Sequence, residues 1–197
     1  NLGIPNQLSN NTYFSRILID DKPLIIQPTE CFTVNGLKEI KNKIICELIF
    51  SDYKDILEFF NNLENSVKNS LFKNKNDWFD DNITNADIED AINTPIYFHQ
   101  KGLKLKTYIN KNNINNELNF NCYDSNHSII DNSNIKSGSS LIPILEVIGC
   151  RFDNKSFNIE VSLIQALLIS PLSKYDKPLF SNTTINKKEI QENIKIN

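Results

Sequence analysis

Methionine is absent from this 197-residue sequence, tryptophan occurs once, histidine twice and glycine five times. Each shortage removes a class of chemistry. The few glycines form no Walker-type loop, no GxGxxG and no GxSxG, so phosphate-cradling loops, dinucleotide folds and nucleophile elbows are excluded. The two histidines, His99 and His127, stand apart, with no HExxH or other metal spacing. The cysteines, Cys31, Cys46, Cys122 and Cys150, include no CxxC pair, and Cys46 and Cys150 fall inside apolar runs. That pattern points to buried free thiols in a reducing compartment rather than to disulfides or zinc ligands. No segment reaches the ~18 unbroken apolar residues of a membrane span, and no signal peptide is visible. The acidic pairs Asp20-Asp21, Asp80-Asp81 and Glu89-Asp90 fall in turns or a short helix, where carboxylates serve caps and solubility. A magnesium-dependent nuclease is therefore set aside. The sequence assigns no catalytic residue, no metal ligand and no cofactor, and a non-enzymatic protein that is neither secreted nor membrane-bound is expected. Without even an initiator methionine, the chain is expected to be processed or incomplete at its start.

What is present is ordinary for a soluble globular protein: 40% hydrophobic and 23% charged residues. The length suits one domain with a core that needs no staples. Net charge is −3, so the chain as a whole is not an electrostatic binder of nucleic acid. An anionic partner must meet a local positive face. Asn and Ile are heavily used, as AT-rich coding DNA would produce, and the Asn-X-Ser/Thr sequons follow from that bias.

The longest apolar block runs from Leu141 to Ile169. Two β-rich arms flank Asp153-Asn154-Lys155-Ser156, which is a hairpin pattern. Phe157, Ile159, Val161 and Leu163 alternate with polar residues in the second arm. The first arm is apolar on both faces and is expected to be a central strand, with Pro143 near its start or on an unpaired side. Earlier in the chain, 1–15 reads as a flexible arm. Strands are expected over 16–20 and 24–27, broken at Asp21-Lys22-Pro23, then over 29–34, ending at Asn35-Gly36, and over 43–50. Tyr53, Ile56, Leu57, Phe60, Leu63, Val67 and Leu71 recur at helical spacing. They predict a helix of about five turns, capped by Ser51 or Asp52 and ending near Phe72. Thr84 and Asp87 form a capping box for a short helix over 85–92. Period two returns over 96–109, and 118–123 reads as a further strand. The domain is expected over 16–170, with a helical insertion at 52–93 and a polar tail at 171–197.

One strand face carries the most chemistry. Within 101–109, Leu103, Leu105, Thr107 and Ile109 point one way, and Lys104, Lys106 and Tyr108 point the other, with Lys101 nearby. Ammonium groups beside an aromatic ring suit a single-strand groove, where lysines neutralise phosphates and rings stack bases. The plainer reading is the solvated outer face of an antiparallel sheet. Arg151 and Lys155, read as the tip of the late hairpin, form a second candidate. Lys38, Lys41 and Lys43 form a basic run that reads as a solvated face. Trp78, beside Phe79, reads as core rather than as a base-stacking ring.

Several blocks together resemble a protein family of nucleocytoplasmic large DNA viruses, of mimivirus and phycodnavirus type. They are Lys22-Pro23-Leu24-Ile25-Ile26-Gln27, Lys43 to Phe50, Trp78-Phe79, Ile142-Pro143-Ile144-Leu145-Glu146, Gly149-Cys150-Arg151-Phe152 and Phe157-Asn158-Ile159-Glu160. The layout of elements is similar to that of single-stranded DNA-binding proteins of short-tailed phages. That resemblance implies a mainly β, α+β fold. It would be an OB-type β-barrel with a helical insertion between strands and a strong C-terminal hairpin. It implies sequence-independent binding of single-stranded DNA in viral genome replication or repair, with viral replication proteins as further partners and a homo-oligomer compatible. The expected location is the cytoplasmic viral factory or the virion. Phage-type proteins end in an acidic tail, whereas this chain ends with mixed charge, so tail-mediated recruitment is not carried over. The competing reading is a virion structural or assembly protein, a minor capsid or internal scaffold component.

Overall fold

Alternation of apolar and polar residues builds the larger part of the described residues into strands. The structure, a computed structural model, describes residues 2–9, 11–40, 43–79, 83–112, 117–153 and 156–169. The fold is mainly β with two helices. In chain order the first elements are β1 (Asn6–Ser9), β2 (Thr12–Arg16), β3 (Leu18–Ile19), β4 (Lys22–Ile26), β5 (Cys31–Ile40) and β6 (Lys43–Phe50). Helices α1 (Lys54–Trp78) and α2 (Asn85–Ala91) follow. Then come β7 (Ile92–Asn93), β8 (Ile96–His99), β9 (Gly102–Ile109), β10 (Asn121–Tyr123), β11 (Ile129–Ile130), β12 (Ser140–Asp153) and β13 (Phe157–Ile169). No helix among the described residues is long and apolar enough to cross a membrane.

Five strands pair in a circuit that returns on itself. β5 pairs antiparallel with β6, and β6 with β9. β9 meets β13 in parallel at Ser162 opposite Tyr108, where the Ser162 hydroxyl donates to the Tyr108 carbonyl at 3.1 Å. β13 pairs antiparallel with β12 along nearly its whole length, and β12 returns to β5 at Ser140–Phe32 and Leu141–Cys31. Two of the five junctions are thus short, so the circuit is closed but uneven. The expected late hairpin is the longest pairing. Its first arm is central, touching β2, β4, β5 and β13. Pro143 is the fourth residue of β12; it stands opposite Ala166 on β13 and, on the other side, falls between the segments that meet β5 and β4.

Several boundaries differ from the sequence reading, each for a local reason. The start of the chain is not a bare arm: β1 pairs with β2, and β2 lies along β12 from Thr12 to Arg16. The turn before β4 is Asp20-Asp21, both with positive φ of 49° and 59°, the conformation of a tight hairpin turn. Pro23 lies inside β4. β5 does not stop at Asn35-Gly36 but runs on to Ile40 through a bulge. Gly36 takes φ 67° there, and a Cβ would overlap the Ile135 carbonyl oxygen. The stretch 96–109 is a hairpin, β8 against β9, rather than one strand. The tail at 171–197 lies outside the described residues.

Of the residues at helical spacing, α1 buries Ile56, Phe60, Leu63, Val67 and Leu71, while Leu57 is partly buried and Tyr53 precedes the helix as its N-cap. The buried residues join one core with Leu48, Phe50, Leu103, Leu105, Leu141, Leu145, Val161 and Leu163 from the circuit. The helix outruns Phe72 and ends at Trp78, because Lys73-Asn74-Lys75-Asn76 is only its wet face. Asn74 donates to the Ser70 carbonyl at 2.7 Å, and Trp78 resumes the stripe two turns after Leu71. Phe79 then anchors the exit against Phe152 and Phe157, with ring centroids at 5.9 and 5.7 Å. The N-cap is Tyr53, without a side-chain cap, rather than Ser51 or Asp52. The Thr84–Asp87 capping box of α2 is present in both directions. All four cysteines are buried and free. Burial pushes the Cys46 and Cys150 thiols up to about 12.

Candidate nucleic-acid interface

β9 lies between β6 and β8, and its alternation sorts its side chains between core and outer face. Leu103, Leu105, Thr107 and Ile109 are buried, and the Thr107 hydroxyl is satisfied by the Cys46 carbonyl at 2.7 Å. Lys104, Lys106 and Tyr108 share the opposite face and are half-buried. Across the ladder, Tyr108 stands opposite Ile45, Lys106 opposite Glu47 and Lys104 opposite Ile49. On the other side, Tyr97 of β8 stands opposite Lys104.

The two lysines have different neighbours. Lys104 Nζ lies 2.8 Å from Glu47 Oε1 and 5.1 Å from the centre of the Tyr97 ring. The Tyr97 hydroxyl donates to the same Glu47 oxygen at 2.9 Å. Burial alone would push the Glu47 carboxyl up. The hydrogen bonds from Lys104 and Tyr97, aided by the charges of Lys104 and Lys106, outweigh it and hold the carboxyl below its usual range. Burial likewise pulls Lys104 down, but its bonds to Glu47 and Tyr97 hold it above the ordinary lysine value. Lys106 has no ion-pair partner among the described residues. Its Nζ lies 5.3 Å from the Tyr108 ring centre, and Lys43 Nζ lies 5.2 Å from the same ring. Tyr108 therefore carries two ammonium groups against its π system, each such contact contributing about 0.5–1 kcal/mol at exposed sites.

The remaining candidates fall elsewhere. Lys101 sits in the β8–β9 turn, exposed, its N–H donating to His99 Nδ1 at 3.3 Å, so it borders the face rather than sharing it. Arg151 is not at a hairpin tip. It lies within β12, opposite Asn158 on β13 and Phe14 on β2. Its guanidinium grips Glu160 with two bonds, 2.7 and 3.2 Å, and covers the Phe14 ring at 5.7 Å. The bond to Glu160 raises the guanidinium further above its already high value. Lys155 lies outside the described residues. Trp78 is partly buried against the core, as its apolar neighbours suggest. Lys43 belongs with Tyr108 rather than with an idle basic run.

A cleft of about 540 Å³ links the two candidate groups, with Tyr108 and Arg151 both on its walls. Sequence reasoning missed Tyr97, Glu47 and Lys43 as parts of this face. Tyr97 was legible in principle: once Gln100-Lys101 is taken as a two-residue turn, Tyr97 must stand opposite Lys104 and face the same way. Glu47 and Lys43 require knowing that β6 neighbours β9. Among the described residues, no group of three or more His, Cys, Asp or Glu side chains is placed to hold a metal ion.

No family model matches the chain, and no curated protein matches it in sequence. Solved structures do. The fold is similar to that of gp2.5, a single-stranded DNA-binding protein encoded by bacteriophage T7. The TM-score is 0.52 at 10% identity, over 80% of this chain and 98% of that one. It is also similar to the single-stranded DNA-binding protein from bacteriophage Enc34, with a TM-score of 0.50 at 10% identity, over 97% of this chain and 99% of that one. At such identity the likeness is one of fold. On the surface described above, the arrangement offers an aromatic ring flanked by ammonium groups and a second ring joined to an ion pair.

Proposed function

We propose that this chain binds single-stranded DNA, without sequence preference and without catalysis, in the genome replication or repair of a large DNA virus. The observation that carries the reading is Tyr108, half-buried on the outer face of β9 with Lys106 and Lys43 over its ring. A strand binder needs a stacking surface and phosphate neutralisation side by side, and every base has a π-face, so such a site is indifferent to sequence. The fold likeness to two proteins named as single-stranded DNA-binding supports the same reading. We read the five-strand circuit as an OB-type barrel with the two helices inserted between β6 and β9. The domain would include β1 and β2, which the sequence reading left outside 16–170, and would run on through β13. In this reading Lys104, Lys106 and Tyr108 form the groove floor, Lys101 borders it at the turn, and Arg151 lies at its rim. Viral replication proteins are the expected further partners, and a homo-oligomer is compatible.

The test is a fluorescence titration of a labelled oligonucleotide at several salt concentrations. Wild-type protein should bind at low salt, with log K falling linearly against log salt. Tyr108→Ala should weaken binding by about 1–3 kcal/mol with little change in slope. No measurable binding at low salt would end this reading and favour a structural or assembly role in the virion.

A further inference from the structure

The cleft beside Tyr108 is more strongly built than the strand face it adjoins. Its charged lining is Arg16 from β2, Lys43 from β6, Lys111 after β9, and Arg151 with Glu160 from β12 and β13. Four cationic side chains and one carboxylate thus surround a concavity on a chain whose net charge is −3. Two of the cations are already committed. Lys111 is paired with Glu39 at 3.0 Å, and Arg151 with Glu160 at 2.7 Å. These pairs fix the walls. Arg16 and Lys43 have no carboxylate partner among the described residues, and Lys43 rests only on the face of Tyr108 at 5.2 Å. A cleft of about 540 Å³ lies within the common range for a small-ligand site, about 300–1,000 Å³. It combines one stacking ring with two unpaired cations.

We propose that this cleft takes one unpaired nucleotide of the bound strand, its base against the Tyr108 ring and its phosphate held by Arg16 and Lys43. The inference rests on the single-strand reading and extends it. It adds Arg16 and Lys43 to the site, and it supplies a reason to prefer single strands over duplex. A paired, stacked base offers no free face to Tyr108, so a duplex can use the cations but not the ring. It also gives the strand a direction of travel, from the β9 face across the start of β6 toward β2 and β12.

The test uses the full chain, a labelled oligothymidylate and a duplex of matched length, titrated over a range of salt. Arg16 and Lys43 are both exposed, so Arg16→Ala, Lys43→Ala and the double variant should melt as wild type does. Each single variant should flatten the single-strand salt slope by about 0.7 and the double variant by about 1.4. Tyr108→Ala should reduce the preference for single strand over duplex. Wild-type slopes in folded Arg16→Ala and Lys43→Ala would overturn the cleft proposal while leaving single-strand binding intact. Equal wild-type affinity for the duplex would overturn it as well. Absence of any wild-type binding would remove the single-strand reading, and the cleft proposal with it.

Discussion

Lys104 and Lys106 stand two residues apart on one face of β9, yet only one of them has a carboxylate at its ammonium group. Lys104 is already paired with Glu47, so it is less available to a phosphate than Lys106. Lys106→Ala should therefore flatten the salt slope by about 0.7, and Lys104→Ala by clearly less. Glu47→Gln should release Lys104 and steepen the slope, read in the same titration. Glu47 also sets a pH dependence. Its folded-state carboxyl lies below the usual range, so its contribution to stability is present above the unfolded value, about 4.3, and lost as pH falls through the lower folded value. Thermal melts of wild type and Glu47→Gln should differ from pH 5 to 8 and converge in acid. A constant difference down to acid pH would contradict the ion pair. The thiols offer a separate check. Cys31, Cys46, Cys122 and Cys150 are buried, and burial raises each of them. At pH 8 the native protein should resist alkylation and the unfolded protein should take four labels, by mass spectrometry. Period-two alternation made the shared face of Lys104, Lys106 and Tyr108 legible. It could not reveal that Glu47, far away in sequence, neutralises one of them.

At the scale of elements, the helical spacing of α1 included all five of its fully buried residues, because that spacing reflects burial directly, but it missed the last turns to Trp78. Phe60 is fully buried at the centre of the stripe. Phe60→Ala should cost about 3–5 kcal/mol, measured by denaturant unfolding. A loss no larger than that of an exposed α1 variant such as Glu58→Ala would show that the stripe does not carry the core. Boundaries were less legible than interiors. The polar run after Phe72 resembled an end until Trp78 resumed the stripe. Gly36 resembled a stop, although a glycine with positive φ can continue a strand through a bulge. The hairpin of β8 and β9 was hidden because both arms share a period and the turn between them is short. Arg151 was misplaced because β12 runs two residues beyond it, to Asp153, before turning.

For the whole molecule, the hard information is which strands are neighbours. β9 lies between β6 and β13, and β12 touches β2, β4 and β5 besides its hairpin partner β13; all of these pairings but the hairpin join segments many tens of residues apart in the chain. Local alternation says that a segment is a strand and which face is wet. It does not say what lies beside it, so the circuit and the cleft were beyond reach while the late hairpin was not. In the proposed function, the wet face of β9 and the cleft beside it form a path for an unpaired nucleic-acid strand. The most direct measurement is the salt dependence of oligonucleotide affinity for wild type and for Lys106→Ala combined with Lys43→Ala. Wild type should bind at low salt with a linear decline of log K against log salt, and the double variant should show a slope flatter by about 1.4. A folded double variant that binds with the full wild-type slope would contradict it.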